Sequence, residues 1–133
     1  SGLIASWLSV HGWIATASDV SRAALISTQL TARANHAEVS LRRADGLSGV
    51  APETYDLIVS NPPFHRGAAK DSTPTMTAIA AARAALRPGG ELWLVFNSHL
   101  PYLQALRRHV GPTTIEAQDR SFIVTRSMKE PTA

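Results

Sequence analysis

Two short apolar runs constrain the fold of this chain more than any other feature of its sequence. The segments YDLIVS (55–60) and ELWLVFN (91–97) contain consecutive rather than alternating apolar residues. Such runs are typical of strands in a parallel sheet whose two faces are both covered by helices. The runs therefore predict interior strands of a layered α/β domain.

Segments with helical spacing alternate with further strand candidates along the rest of the chain. The predicted helices are 3–10, 21–35, 74–86 and 101–110. The other predicted strands are 12–19, 38–45, 113–118 and 121–127. The last two strands alternate in hydrophobicity, which predicts an antiparallel C-terminal pair at the edge of a mostly parallel sheet.

The helix predicted at 21–35 has a clear start and an expected inner face. Ser21 is a plausible N-cap, because a serine hydroxyl can accept a hydrogen bond from the first turn. Helical periodicity predicts that four residues face the core. These residues are Ala23, Ile26, Leu30 and Ala34.

Size and composition limit the classes of protein to consider. The 133 residues predict a single domain, 1–133, and the net charge of +3 is too small to indicate a partner. The chain lacks cysteine, which excludes disulfides and fits a cytoplasmic protein. The histidines show no metal-binding spacing, so we expect no metal. The longest strongly apolar run, 92–96, is too short to cross a membrane.

The first residues suggest that a glycine-rich loop lies at the start of the chain. In dinucleotide-type sites such a loop comes about 20 residues before an acidic residue. Gly2 lies 17 residues before Asp19 (19 − 2 = 17). We interpret Gly2 as the end of this loop, with the first strand of the sheet missing, and the chain as the C-terminal part of a longer enzyme.

Polar residues follow three of the predicted strands. Asp19, the Asp45–Gly46 pair and Asn61 each lie at a predicted carboxyl end, where α/β sheets bind ligands. Carboxylates at two neighbouring strand ends can accept hydrogen bonds from ribose hydroxyls and from an adenine amino group, which predicts a nucleotide site. The alternatives are that Asp19 is a helix cap and that Asp45–Gly46 is a plain turn.

The segment SNPPFH (60–65) has a composition suited to holding an amino group. Proline rings fix φ, so the side-chain oxygen of Asn61 and the carbonyl of Pro62 can form a rigid pair of acceptors. Both can bind the N–H groups of an exocyclic amine and stabilise the charge that develops as its nitrogen attacks. Phe64 offers a face on which a base can stack. The alternative is a rigid turn without a catalytic role.

These motifs resemble those of the class I S-adenosylmethionine-dependent methyltransferases, which have a Rossmann-like fold. The chain is most similar to their small-domain group, which includes guanine-N2 methyltransferases of 16S and 23S ribosomal RNA. The matching segments are SDVSRAAL (18–25), YDLIVSNPPFHRG (55–67), LRPGGELWLVFNSHLPY (86–102) and SFIVTRS (121–127).

The resemblance implies that S-adenosylmethionine is the methyl donor and that it binds at the strand ends. Asp19 would bind the ribose hydroxyls, Val20 would line the adenine pocket, and Asp45 would bind the adenine amino group. Gly2, Gly46 and Asn61 would complete the donor site.

The resemblance also implies a substrate site and a substrate. Asn61 and Pro62 would hold the target amine, beside Pro63, and Phe64 would stack on the flipped base. His65 and Arg66 would lie at the mouth of the site. The expected reaction is methylation of guanine N2 in ribosomal RNA, either free or within a ribosomal subunit.

Other functions remain open from the sequence. The target amine could belong to a protein glutamine or to DNA, or the chain could be a non-catalytic RNA-binding module of the same fold. A nicotinamide-dependent enzyme is disfavoured, because that class has no use for an amine-binding corner at Pro62 and Pro63. The chain also departs from the family, since the first strand and the acidic and glycine residues of the donor loop do not precede Ser1.

Overall fold

A computed structural model describes residues 2–61 and 73–131 of the chain, which divides into two compact units, Ser1–Ser48 and Gly49–Ala133. The first unit contains α1 (Leu3–Val10), β1 (Ala15–Asp19), α2 (Arg22–Ala34) and β2 (Val39–Arg43). The second contains β3 (Tyr55–Ser60), α3 (Thr73–Ala85), β4 (Leu86–Asn97), α4 (Tyr102–His109), β5 (Thr113–Gln118) and β6 (Phe122–Met128). The predicted order of elements is therefore confirmed, whereas the single domain stays a prediction.

The first unit is a pair of parallel strands with two packed helices. β1 and β2 pair in parallel, from Ala15 opposite Val39 to Asp19 opposite Arg43. The helix α2 connects the two strands, as parallel pairing requires. Its N-cap is Ser21, whose hydroxyl accepts a hydrogen bond from the Ala24 N–H at 3.2 Å, which confirms the predicted start of the helix.

The predicted inner face of α2 is wrong. The buried residues are Leu25, Thr28 and Ala32, whereas Ile26 and Leu30 are 50% and 61% exposed. The true inner face lies on roughly the opposite side of the helix, a rotation of about 180° at 3.6 residues per turn. Thr28 can be buried because its hydroxyl donates to the Ala24 carbonyl at 3.0 Å.

The start of α1 packs against this face of α2. Gly2 is the N-cap of α1 with φ of 76°, and a Cβ there would lie 2.8 Å from the Thr28 Cα. Because Gly2 has no side chain, α1 can approach the backbone of α2 at Thr28. Thr28 therefore lies on the face of α2 that packs against α1, which hydrophobic periodicity alone did not indicate.

The second unit is a mixed sheet with strand order β3-β4-β6-β5. β3 pairs with β4 in parallel, while β6 is antiparallel to both β4 and β5. The predicted antiparallel C-terminal pair is confirmed, and β5 forms the edge of the sheet. The parallel strand pairs and their connecting helices confirm the predicted α/β class.

One face of this sheet forms the core of the second unit. Along β4, Leu92, Leu94 and Phe96 are buried, and Phe96 packs against Tyr102 of α4 with ring centroids 5.4 Å apart. Trp93 and Val95, on the opposite face, are only half-buried. The apolar runs at 55–60 and 91–97 were expected to be covered by helices on both faces of the sheet. Within the second unit this expectation is wrong, because α3 and α4 bury only one face of β4.

Candidate functional site

The carboxyl ends of β1 and β2 bring the two predicted acidic residues to one edge of the first unit. Asp19 ends β1 opposite Arg43, and the Ala44 N–H donates to the Asp19 carbonyl at 3.1 Å. Asp45 is the next residue of the chain. Both carboxylates therefore follow directly from the end of the parallel ladder.

Asp19 is both a turn residue and a potential ligand. Its Oδ1 accepts the Ser21 N–H at 2.8 Å, which forms a turn before the helix, whereas the N-cap itself is Ser21. The other oxygen, Oδ2, has no hydrogen-bond partner among the described residues. The contact with Ser21 orients the carboxylate and leaves this oxygen available to a hydroxyl donor.

The surroundings of Asp19 combine apolar surface with open space. Val20 is 57% exposed although it is apolar. Gly46 has φ of 56°, and among the described residues other than Gly46 and its two chain neighbours, no heavy atom lies within 4 Å of where its Cβ would be. Asp45 is exposed, while its carbonyl accepts the Ser48 N–H at 3.1 Å in the turn. A flat apolar group with polar edges could lie here, and acceptors without partners suit its N–H and O–H groups.

Three residues that the sequence analysis did not identify bind the backbone of these two turns. Arg43 Nε donates to the Val20 carbonyl at 3.1 Å. Arg42 Nη1 and the Ser18 hydroxyl both donate to the Gly46 carbonyl, at 2.9 and 3.2 Å. The adjacent Arg42 and Arg43 at the end of β2 were the sequence signal for these contacts. Successive strand residues project to opposite sides, so two neighbouring arginines can reach different partners.

Asn61 lies directly after β3 in the second unit, where the ladder ends with Ser60 opposite Leu94. The residue is exposed, and its amide has no hydrogen-bond partner within the described part of the chain. An exposed amide at a strand end is available to a ligand. The other predicted substrate-binding residues lie outside the described residues: Pro62, Pro63, Phe64, His65 and Arg66.

Gly2 differs from the other predicted donor-binding residues, because the structure gives it a packing role. Its lack of a side chain lets α1 contact Thr28, as described above.

Across residues 2–61 and 73–131, no group of three or more His, Asp or Glu side chains could hold a metal ion. Within the same ranges, every helix is too short or too polar to cross a bilayer.

Parallel strand pairs joined by helices, with polar side chains at the strand ends, define the class of Rossmann-like α/β domains. Within this class, the chain belongs to the methyltransferase small domain family, which matches residues 1–126.

Two relatives with curated names illustrate the similarity. Ribosomal RNA large subunit methyltransferase G of Streptomyces coelicolor is 42% identical over 114 residues, which are 84% of this chain and 30% of that protein. Ribosomal RNA small subunit methyltransferase C of Chromohalobacter salexigens is 39% identical over 128 residues, 96% of this chain and 38% of the relative. The chain thus spans about a third of the length of these relatives.

A solved structure shares the fold over nearly the whole chain. It is the T. thermophilus 16S rRNA N2 methyltransferase RsmC in complex with AdoMet and guanosine. The two are 28% identical with a TM-score of 0.78, and the match covers 92% of this chain and 33% of RsmC.

Proposed function

We propose that this chain is the donor-binding and catalytic part of an S-adenosylmethionine-dependent methyltransferase that acts on guanine N2 of ribosomal RNA. The observation that carries the proposal is the similarity to RsmC, whose structure contains AdoMet and guanosine, along 92% of the chain. The names of the curated relatives, which are ribosomal RNA methyltransferases, support the same class of substrate.

The residues at the carboxyl ends of β1 and β2 fit the chemistry of this donor. The unpartnered Oδ2 of Asp19 would accept the ribose hydroxyls, and the exposed carboxylate of Asp45 would accept the adenine amino group. Val20 offers exposed apolar surface for the adenine ring. Gly2, Gly46 and Asn61 complete the proposed set. When bound, S-adenosylmethionine supplies an electrophilic methyl group on a sulfonium ion.

The proposed catalytic step depends on Asn61 and Pro62. Their oxygens would accept the two N–H groups of the target amine, which increases the electron density on a nitrogen whose lone pair is otherwise delocalised into the base. These acceptors also stabilise the positive charge that develops on the nitrogen. The methylated nitrogen is cationic and loses a proton readily, so no strong general base is required.

The substrate would be held by the residues that follow Pro62. Pro63 would keep the segment rigid, Phe64 would stack on the base, and His65 and Arg66 would contact RNA at the mouth of the site. A base within a helix must first be flipped out of its stack, which costs a few kcal/mol. A substrate in the ribosome implies a cytoplasmic enzyme.

Transfer of tritium from labelled S-adenosylmethionine tests the proposed substrate. We expect incorporation into ribosomal RNA or ribosomal subunits, and none into a release factor or DNA. Mass mapping of ribosomal RNA from cells that lack the gene should show one missing N2-methylguanine. Label in protein or DNA, or an unchanged ribosomal RNA, would contradict the proposal.

The substitution Asn61→Ala tests the proposed catalytic role. One preorganised acceptor contributes about 3 kcal/mol to the transition state, so we expect turnover to fall about 10²-fold or more. Donor affinity should fall much less, because Asp19 and Asp45 would still bind the donor. Asn35→Ala is the matched control, because Asn35 is an exposed amide at the end of α2. An equal loss of donor binding and turnover would contradict the role of Asn61.

A further inference from the structure

The turns that follow β1 and β2 are each bound by a side chain from the other strand. Arg43 of β2 donates from Nε to the Val20 carbonyl at 3.1 Å, beyond the end of β1. Ser18 of β1 donates to the Gly46 carbonyl at 3.2 Å, beyond the end of β2. The two contacts connect residues that are 23 and 28 positions apart in sequence.

Arg42 strengthens the second of these contacts. Its Nη1 donates to the same Gly46 carbonyl at 2.9 Å, so that oxygen accepts two hydrogen bonds. Bonds from a guanidinium are charge-assisted and stronger than those between neutral groups. Three donors therefore bind the carbonyls of Val20 and Gly46, each of which directly follows an acidic residue.

The arginines leave the carboxylates of the site unpaired. Among the described residues, the ion pairs connect Arg87 with Asp56, and Arg126 with Glu91 and Glu116. Arg42 and Arg43 instead donate to backbone carbonyls, although both lie close in sequence to Asp45 and Arg43 lies opposite Asp19 in the ladder. The arginines thus bind the backbone of the turns and leave the carboxylate oxygens of Asp19 and Asp45 available to a ligand.

We propose that Arg42 and Arg43 are positioning residues, which hold the turns carrying Asp45 and Asp19 in the arrangement that binds the methyl donor. This inference rests on the proposed function of the site. Arg43 would act through the Val20 carbonyl on the carboxylate of Asp19. Arg42 would act through the Gly46 carbonyl on the carboxylate of Asp45.

The test compares three variants by calorimetric titration with S-adenosylmethionine. Arg43→Met removes the donor and the charge. Arg43→Lys keeps the charge, but its ammonium lies one atom further along the side chain than Nε. Arg33→Met is the control, because Arg33 is an exposed arginine in the last turn of α2. We expect donor affinity to fall about fivefold in both Arg43 variants, the equivalent of losing one hydrogen bond, and to stay unchanged in the control.

Hydrogen–deuterium exchange of the ligand-free proteins separates positioning from a general loss of stability. In the Arg43 variants we expect faster exchange at Ser21, whose N–H binds Asp19, with amides of the second unit unaffected. In Arg42→Met we expect faster exchange at Ser48, whose N–H binds the Asp45 carbonyl. A purely structural role would instead raise exchange throughout the first unit and leave the affinity of folded molecules unchanged.

The outcomes distinguish this proposal from the function on which it rests. Normal donor binding by Arg43→Lys would show that charge alone matters and would overturn the positioning role. An equal loss in Arg33→Met would overturn it as well. Absence of donor binding by the unsubstituted protein would overturn the proposed function, and the role of both arginines with it.

Discussion

The ammonium group of Lys129 binds carbonyl oxygens at the C-terminal end of α3, and its removal should destabilise the second unit. Lys129 is only 9% exposed, and its Nζ donates to the carbonyls of Arg83 and Leu86 at 2.9 and 2.8 Å. The last carbonyls of a helix have no partner within the helix. A cation at this end also interacts favourably with the helix dipole.

The expected cost of Lys129→Met follows from these two contacts. Methionine keeps most of the apolar side chain and removes the charged donor. Hydrogen bonds to charged groups contribute about 1.5–3 kcal/mol each, whereas the variant no longer has to bury an ammonium. We therefore expect the free energy of unfolding to fall by a net of about 2–3 kcal/mol.

Arg87→Met is the matched control for this substitution. Arg87 forms an ion pair with Asp56 at 2.8 Å, but the two side chains are 50% and 65% exposed. Exposed ion pairs contribute about 1 kcal/mol or less, so the control should lose less than half as much stability. Each variant removes one positive charge from a residue near the end of α3.

Urea unfolding followed by circular dichroism measures both variants. The midpoint should fall for Lys129→Met with an unchanged slope, since the area exposed on unfolding stays the same. A loss below about 0.5 kcal/mol, or a loss equal to that of the control, would refute the argument that the buried ammonium satisfies the end of α3.

Two further predictions concern the second unit. Leu106 of α4 is 0% exposed, so Leu106→Ala should cost about 2–5 kcal/mol in urea unfolding, and a loss below 1 kcal/mol would mean that the site collapses around the smaller side chain. The pKa of the Asp119 carboxyl is lowered by hydrogen bonds from the Phe122 and Ser121 N–H groups. The stability that it contributes is therefore present above the unfolded-state pKa of about 4, and is lost as pH falls through the folded-state value. Thermal melts of Asp119→Asn should differ from those of the unsubstituted protein at pH 7 and converge in acid, and a difference independent of pH would contradict this assignment.

Local patterns determined the order and type of the elements. The predicted bounds 55–60 and 113–118 agree with those of β3 and β5, because apolar runs and turn residues mark these strands directly in the sequence. The positions of Asp19 and Asn61 at carboxyl ends follow from the same signals. A residue adjacent to a strand in sequence lies at the end of that strand independently of the tertiary contacts made by the rest of the chain.

The inner face of α2 and the junction of α3 with β4 depended on tertiary contacts instead. The sequence predicted a helix to 86 and a separate strand from 91, yet α3 ends at Ala85 and β4 begins directly at Leu86. Residues distant in sequence bind the carbonyls at this junction. The N–H groups of Glu53 and Thr54 donate to the Ala84 and Ala85 carbonyls, and the Lys129 ammonium donates to the carbonyls of Arg83 and Leu86.

The sequence by itself thus determined which residues lie at the ends of the strands. Only the tertiary structure decided what holds those ends in place, as with Arg43 and the Val20 carbonyl or Lys129 and the end of α3. The physical reason is the range of the interactions. Periodicity and capping act over a few residues, whereas these contacts join positions 23 to 46 residues apart, whose proximity arises only when the chain is folded.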